Sequence, residues 1–220
     1  MPNFAEQLGD SIRGKFFKAV IQVRKEGLKP DGGCVAMALD CLARGAVPTD
    51  IYVANIRNNA LGNCHTTDLL FDPQKGLQAN LQSASEKFIV EFDYFSSSPN
   101  PLDIVGMRVN EALTPRSAID LVNRLEKDLG VLILKEHRDG PLTIKQKIAK
   151  KEPETIGHLE GLISDTGKII HVDSRRYSND VARELTPKET ARLLRRSQRN
   201  KGVIIEIQVK PKGQGVDPDL

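Results

Sequence analysis

Residues 156–173 hold the feature that most limits what this chain can become, two alternating apolar runs joined through Ser164-Asp165-Thr166-Gly167. Ile156-Gly157-His158-Leu159-Glu160-Gly161-Leu162-Ile163 precedes those turn residues, and Lys168-Ile169-Ile170-His171-Val172-Asp173 follows them. Two such runs around a Gly-containing turn predict a β-hairpin. Side chains alternate along a strand, so His158, Glu160 and Leu162 share one face, and Ile169, His171 and Asp173 share another. Loop parity decides whether the two sets meet. An even number of loop residues puts them on the same side, and a three-residue loop puts Asp173 on the wrong one. A Thr166-Gly167 loop sets Asp173 opposite Glu160 and diagonal to His158, whereas a loop of Ser164 to Gly167 sets it directly opposite His158.

Helical patterns dominate the chain before this hairpin. Residues 4–26 predict one helix or two, with Phe4, Leu8, Ile12, Phe16, Val20 and Val23 near one stripe and Gly9 and Gly14 weakening it. Gly27 and Pro30 mark its end. Residues 32–44 predict a second helix, with Asp31 as N-cap, Cys34 as third residue and Gly45 at C′. A short helix is expected over 50–58. Residues 59–115 carry mixed signals, including a strand-like run over 87–95, and read as an elaboration that recognises the substrate. A helix over 115–129 is capped by Thr114, with Pro115 at N1, Ile119, Val122, Leu125 and Leu129 inward, and Gly130 as its stop. Val131 to Leu134 predicts a buried strand, and 138–154 an exposed loop. Thr186-Pro187-Lys188-Glu189 is a capping box opening a helix to about Arg199, followed by a strand over 203–207. The expectation is an α+β fold, helices packed on an antiparallel sheet, forming one domain over 1–210 with a disordered tail over 211–220.

Composition narrows the classes. Of 220 residues, 39% are hydrophobic, enough for a packed core, yet no apolar run is long enough to span a membrane. The N-terminus lacks a signal-peptide pattern, so synthesis in a cytoplasm is expected, with any export by a route that needs no cleaved signal. Three cysteines leave at least one free thiol, and Cys34 and Cys41 are two helical turns apart, too far for a disulfide. Net charge is +3, with basic clusters at Lys145 to Lys151 and at Arg192 to Lys201. No aromatic residue interleaves them, which disfavours nucleic acid as a partner and favours solvated faces.

The chemistry-bearing set is Cys34, His158 and Asp173. A helix N-terminus favours a thiolate at Cys34, Gly32 and Gly33 clear space around the sulfur, and first-turn N–H groups are available to an oxyanion. In that scheme Cys34 attacks a carbonyl carbon, His158 shuttles the proton and Asp173 orients the imidazole. Competing sets are weaker. Cys64 and His65 are neighbours in sequence, which does not make them face each other. His171 as base sits about 7 Å along the strand from Asp173. Cys34, Cys41, Cys64 and His65 lack zinc-ligand spacing, and there is no P-loop or dinucleotide fingerprint, so neither metal nor cofactor is expected.

Asp31-Gly-Gly-Cys-Val-Ala-Met-Ala-Leu-Asp-Cys-Leu-Ala-Arg-Gly45 resembles the nucleophile segment of the papain-fold toxin family, and Gly157-His158 through Asp173 resembles its second motif. The interval from His to Asp is also similar to that of secreted bacterial glutamine deamidases with a papain-like core. The resemblance implies a papain-like fold and a Cys34, His158, Asp173 triad. It further implies hydrolysis of a carboxamide or peptide bond, most often deamidation of a glutamine on a host or rival protein. The implied partner is a protein substrate, with room for a cognate immunity or inhibitor protein. The same fold also serves proteases, isopeptidases and peptidoglycan amidases. A non-catalytic module binding through its basic clusters is the reading from another class. Leu28 stands where papain-like enzymes often carry an oxyanion-hole Gln, so backbone N–H groups near Gly33 are the expected donors.

Overall fold

The structure is a computed structural model that describes residues 3–30, 32–61, 102–110, 113–125, 129–138, 155–176, 180–199 and 202–211. Helices α1 (Phe4–Lys25), α2 (Cys34–Leu42) and α3 (Thr49–Ala60) come first. A capping box opens α1: Glu6 N donates to Asn3 Oδ1, and Asn3 N donates to Glu6 Oε2. Gly9 does not divide it. It lies against the sheet, where an added Cβ would sit 3.5 Å from Ala182 Cβ.

Among the described residues, six strands form one antiparallel sheet in the order β1-β6-β2-β3-β4-β5: β1 (Leu102–Asn110), β2 (Leu129–Arg138), β3 (Thr155–Asp165), β4 (Lys168–Val172), β5 (Ala182–Leu185) and β6 (Val203–Pro211). Helices α4 (Pro115–Asn123) and α5 (Pro187–Arg199) complete the fold. Both faces of the sheet are covered. Leu132, Leu159, Ile163, Ile170, Val172 and Ile205 join the core of α1–α3. Val131, Ile133, Leu162, Ile169 and Ile204 pack with α4 and α5. Burial on both sides is why the runs at 131–133 and 203–205 are apolar without alternation.

The predicted α+β class holds, with corrections in detail. Helix α4 stops at Asn123, and Leu129 and Gly130 belong to β2. Gly130 is there for close packing: a Cβ on it would lie 2.1 Å from Leu42 Cδ2. Ile119 points outward, 50% exposed, because Ala118, Leu121, Val122 and Leu125 make the buried stripe. The predicted elaboration over 59–115 contributes the edge strand β1, paired with a β6 that extends to Pro211. Strand β5, which carried no strand signal, pairs with β4. Thr114 and the Thr186/Glu189 box cap α4 and α5 as expected. The strand-like run over 87–95 and the tail from residue 212 lie outside the described residues, as does the predicted loop beyond Arg138 up to residue 154.

Candidate active site

Helix α2 begins at Cys34, with Gly33 as N-cap and no side-chain cap. This corrects the expected helix start. Gly32 (φ 71°) and Gly33 (φ 122°) hold positive-φ conformations that no helix continues through, so Cys34 is the first helical residue rather than the third. Asp31, the expected cap, lies outside the described residues. A side chain on Gly33 would put Cβ 2.7 Å from Phe16 Cε2. Ala36 N donates to Asn55 Oδ1 at 3.2 Å, and Met37 N to Gly33 O at 3.1 Å. The N–H groups of Cys34 and Val35 have no acceptor among the described residues, which leaves them for an incoming oxygen.

The helix is clamped in place. Its buried Asp40 accepts from Lys15 Nζ (2.8 Å), Tyr52 Oη (2.7 Å) and Val47 N (2.9 Å), tying α2 to α1 and α3. Its C-terminus closes in a Schellman motif, with Arg44 N donating to Cys41 O and Gly45 N to Asp40 O. The left-handed C′ residue is therefore Arg44 (φ 52°), not Gly45 as expected. Arg44 then binds Asp165 Oδ1 at 3.0 Å and the Ser164 carbonyl, joining the end of α2 to the β3–β4 turn. Alongside, α2 lies so close to β3 that a Cβ on Gly161 would be 2.8 Å from Cys41 Cβ.

Asp165 pairs with Lys168 across Thr166 and Gly167, both at positive φ, which is a two-residue hairpin turn of type I′. The loop is even, and the last ladder pair, Gly161 with Val172, directs Asp173 toward Glu160 and diagonally toward His158. His158 Nε2 donates to Asp173 Oδ1 at 2.8 Å. Cys34 acts electrostatically on the same imidazole, favouring its charged form. Nε2 is committed to Asp173, so Nδ1 is the ring nitrogen left for the thiol. The three residues expected to form the site are thus brought together, and all are buried, Cys34 retaining 9% exposure.

The electrostatics agree with this order of contacts. Burial disfavours the His158 imidazolium, but hydrogen bonds and charge from Asp173 and Cys34 outweigh it and raise its pKa above the ordinary 6.5. Burial likewise opposes ionisation of Asp173, yet His158 and then Arg175 hold its carboxyl well below the usual carboxylate range. An ionised Asp173 can only accept, which fixes the Nε2–H tautomer of His158.

Two residues escaped the sequence reading. Glu160, wholly buried, accepts from His171 Nε2 (3.0 Å) and Arg175 Nη2 (3.1 Å) and lies 3.5 Å from His158 Nε2. Arg175 also donates from its backbone N to Asp173 Oδ1 (3.0 Å) and from Nη2 to Oδ2 (3.2 Å). The signal for Glu160 was its place on the His158 face of an otherwise apolar strand. His171 Nε2 pairs with Glu160 and its Nδ1 is buried without a partner, whereas Cys34 acts on His158, which makes His158 the base associated with the thiol. Ligand atoms of His158, Glu160 and Asp173 lie within 4.8 Å of one another, so a cation could be held there. The Arg175 guanidinium already bridges the two carboxylates, and the cluster is better described as an ion-pair network. Cys41 is buried, and desolvation followed by the Asp40 charge pushes its thiol far above its ordinary value, which suits neither nucleophile nor ligand. Cys64 and His65 lie outside the described residues. Leu28 packs against the helical core, so no side-chain oxyanion donor comes from that position.

No protein-family model matches the chain, and no curated protein and no solved structure matches it significantly. Among the described residues, no helix is long and apolar enough to cross a membrane.

Proposed function

We propose that this chain is a papain-like cysteine hydrolase that deamidates glutamine on a protein substrate, acting as a toxin or effector. The observation that carries the reading is the His158–Asp173 hydrogen bond, with buried Cys34 at the start of α2 acting on the same imidazole. His158 Nδ1 takes the thiol proton as Cys34 Sγ bonds to the carboxamide carbon, and the displaced electron pair moves onto the carbonyl oxygen. The N–H groups of Cys34 and Val35 stabilise that oxyanion. Collapse expels ammonia, protonated by His158, and leaves a thioester on Cys34. Water, deprotonated by His158, then attacks the thioester, releasing glutamate and the thiol. Asp173 keeps the imidazole oriented and stabilises its charged form throughout.

The recessed sulfur favours an unbranched side chain ending in a carboxamide over a main-chain peptide, because only 9% of Cys34 is exposed. The same chemistry with an amine leaving group describes a protease, isopeptidase or peptidoglycan amidase. The deciding experiment incubates the protein with glutamine-rich protein substrates and reads ammonia release together with intact mass. Deamidation raises the substrate's mass without cutting the chain. Fragments reassign the enzyme to proteolysis. Ammonia release that persists in Cys34→Ala contradicts the hydrolase itself.

A further inference from the structure

Helices α4 and α5 enclose a groove of about 770 Å³. It lies on the sheet face that carries Leu162 and Ile169, opposite the face on which α2 packs. Pro115, Ile119, Val122 and Ala191 give it an apolar lining, and Ile119 is a large side chain left half in solvent. Among the described residues, every charged one that lines it is a cation: Lys188, Arg192, Arg195, Arg196 and Arg199. These follow helical spacing along one side of α5.

Cations in the last turn of a helix complement its dipole, which accounts for Arg196 and Arg199. It does not account for Lys188 and Arg192 in the first turns. Like charges three and four residues apart disfavour a helix, and among the described residues Glu189 offsets them only in the first turn. Arg195, Arg196 and Arg199 have no carboxylate partner among the described residues, and Arg192 interacts with Glu189 in the preceding turn. An apolar trough beside unpaired arginines is the composition of a protein-binding surface.

We infer that the α4–α5 groove docks an acidic amphipathic segment of a partner protein, its apolar side chains against Ile119 and Val122 and its carboxylates against the α5 arginines. Nucleic acid fits less well. Among the described residues no aromatic side chain lines the groove to stack a base, and an apolar wall gives nothing to a sugar-phosphate chain. None of Cys34, His158 and Asp173 lines the groove, so the inference stands or falls independently of the hydrolase reading.

The test is fluorescence anisotropy of the full chain with a labelled, helix-stapled peptide carrying Leu on one face and Glu on its flanks. Wild type is expected to bind it. Arg195→Glu combined with Arg199→Glu is expected to weaken binding at least about tenfold, and Ile119→Asp similarly, as for central interface residues. Replacing Glu by Lys in the peptide is expected to abolish binding. All three substituted positions are at least partly exposed, and circular dichroism checks that each variant folds. Failure of wild type to bind the peptide overturns the inference, as does binding indifferent to the charge reversal. Tighter binding of a single-stranded DNA oligonucleotide, falling steeply with salt and unaffected by Ile119→Asp, overturns it in favour of nucleic acid.

Discussion

At the scale of single residues, the proposed nucleophile and its supports do different work and should fail differently. Cys34→Ala is expected to lower the hydrolytic rate by roughly 10³-fold or more, as removal of a covalent nucleophile does. Asp173→Asn preserves shape but no longer fixes the imidazole tautomer, so a loss of about 10²–10⁴-fold in kcat is expected in the same ammonia-release assay. Glu160 behaves otherwise. It is wholly buried and accepts from both His171 and Arg175, so Glu160→Ala strands buried donors and is expected to cost about 3–5 kcal/mol in urea unfolding. A change below about 1 kcal/mol would show that the network is not coupled to folding. His158 and Asp173 were legible because parity along a strand is arithmetic, and Cys34 because two glycines precede a helical pattern. Arg175 was not, since it reaches back from the 3-10 turn (Ser174–Arg176) after β4, and chain reversal leaves no periodic trace.

At the scale of elements, the site depends on how closely α2 can approach β3. Gly161 permits that approach, and Gly161→Ala must move either Cys41 or the helix by several tenths of an ångström. A loss of about 1–3 kcal/mol is expected by thermal or urea unfolding, as for overpacking a tight contact. Activity should fall with it, because the displaced helix carries Cys34. Gly33→Ala strains a backbone held at φ 122° and drives a methyl into Phe16, so it is expected to reduce activity as well. Full activity in both variants would show that α2 need not be held so tightly. Helix caps with side-chain partners, Thr114 and Thr186, were legible in sequence. The start of α2 was not, because two glycines at positive φ leave no side-chain signature to distinguish a cap from a first turn. Gly130 misled for a related reason: its glycine serves a close contact with Leu42 rather than ending a helix.

At the scale of the whole molecule, stability should depend on pH from both sides. His158 has a folded pKa raised above 6.5, so its contribution is complete below 6.5 and is lost as pH rises through the folded value. Asp173 has a folded pKa lowered from 3.8, so its contribution is complete above 3.8 and is lost as pH falls below it. The pair therefore stabilises most between those two ordinary values. NMR titration of His158 is expected to show a midpoint above 6.5 that drops in Asp173→Asn and in Cys34→Ala. An unchanged midpoint in both variants would uncouple the three residues. The α+β class was legible from the order of helical and strand patterns, whereas the edges of the sheet were not. Strands β1 and β5 owe their conformation to pairing with β6 and β4, a tertiary cause that local propensity does not carry.

The proposed mechanism rests on activation of Cys34 by His158. It is tested most directly by the rate at which iodoacetamide alkylates Cys34 at about pH 6, where a free cysteine is almost wholly protonated. The rate is read by intact mass in wild type and in His158→Ala. The account predicts that wild-type Cys34 reacts faster than free cysteine and that His158→Ala removes the advantage. A wild-type rate no greater than that of free cysteine, or one that His158→Ala leaves unchanged, would contradict it.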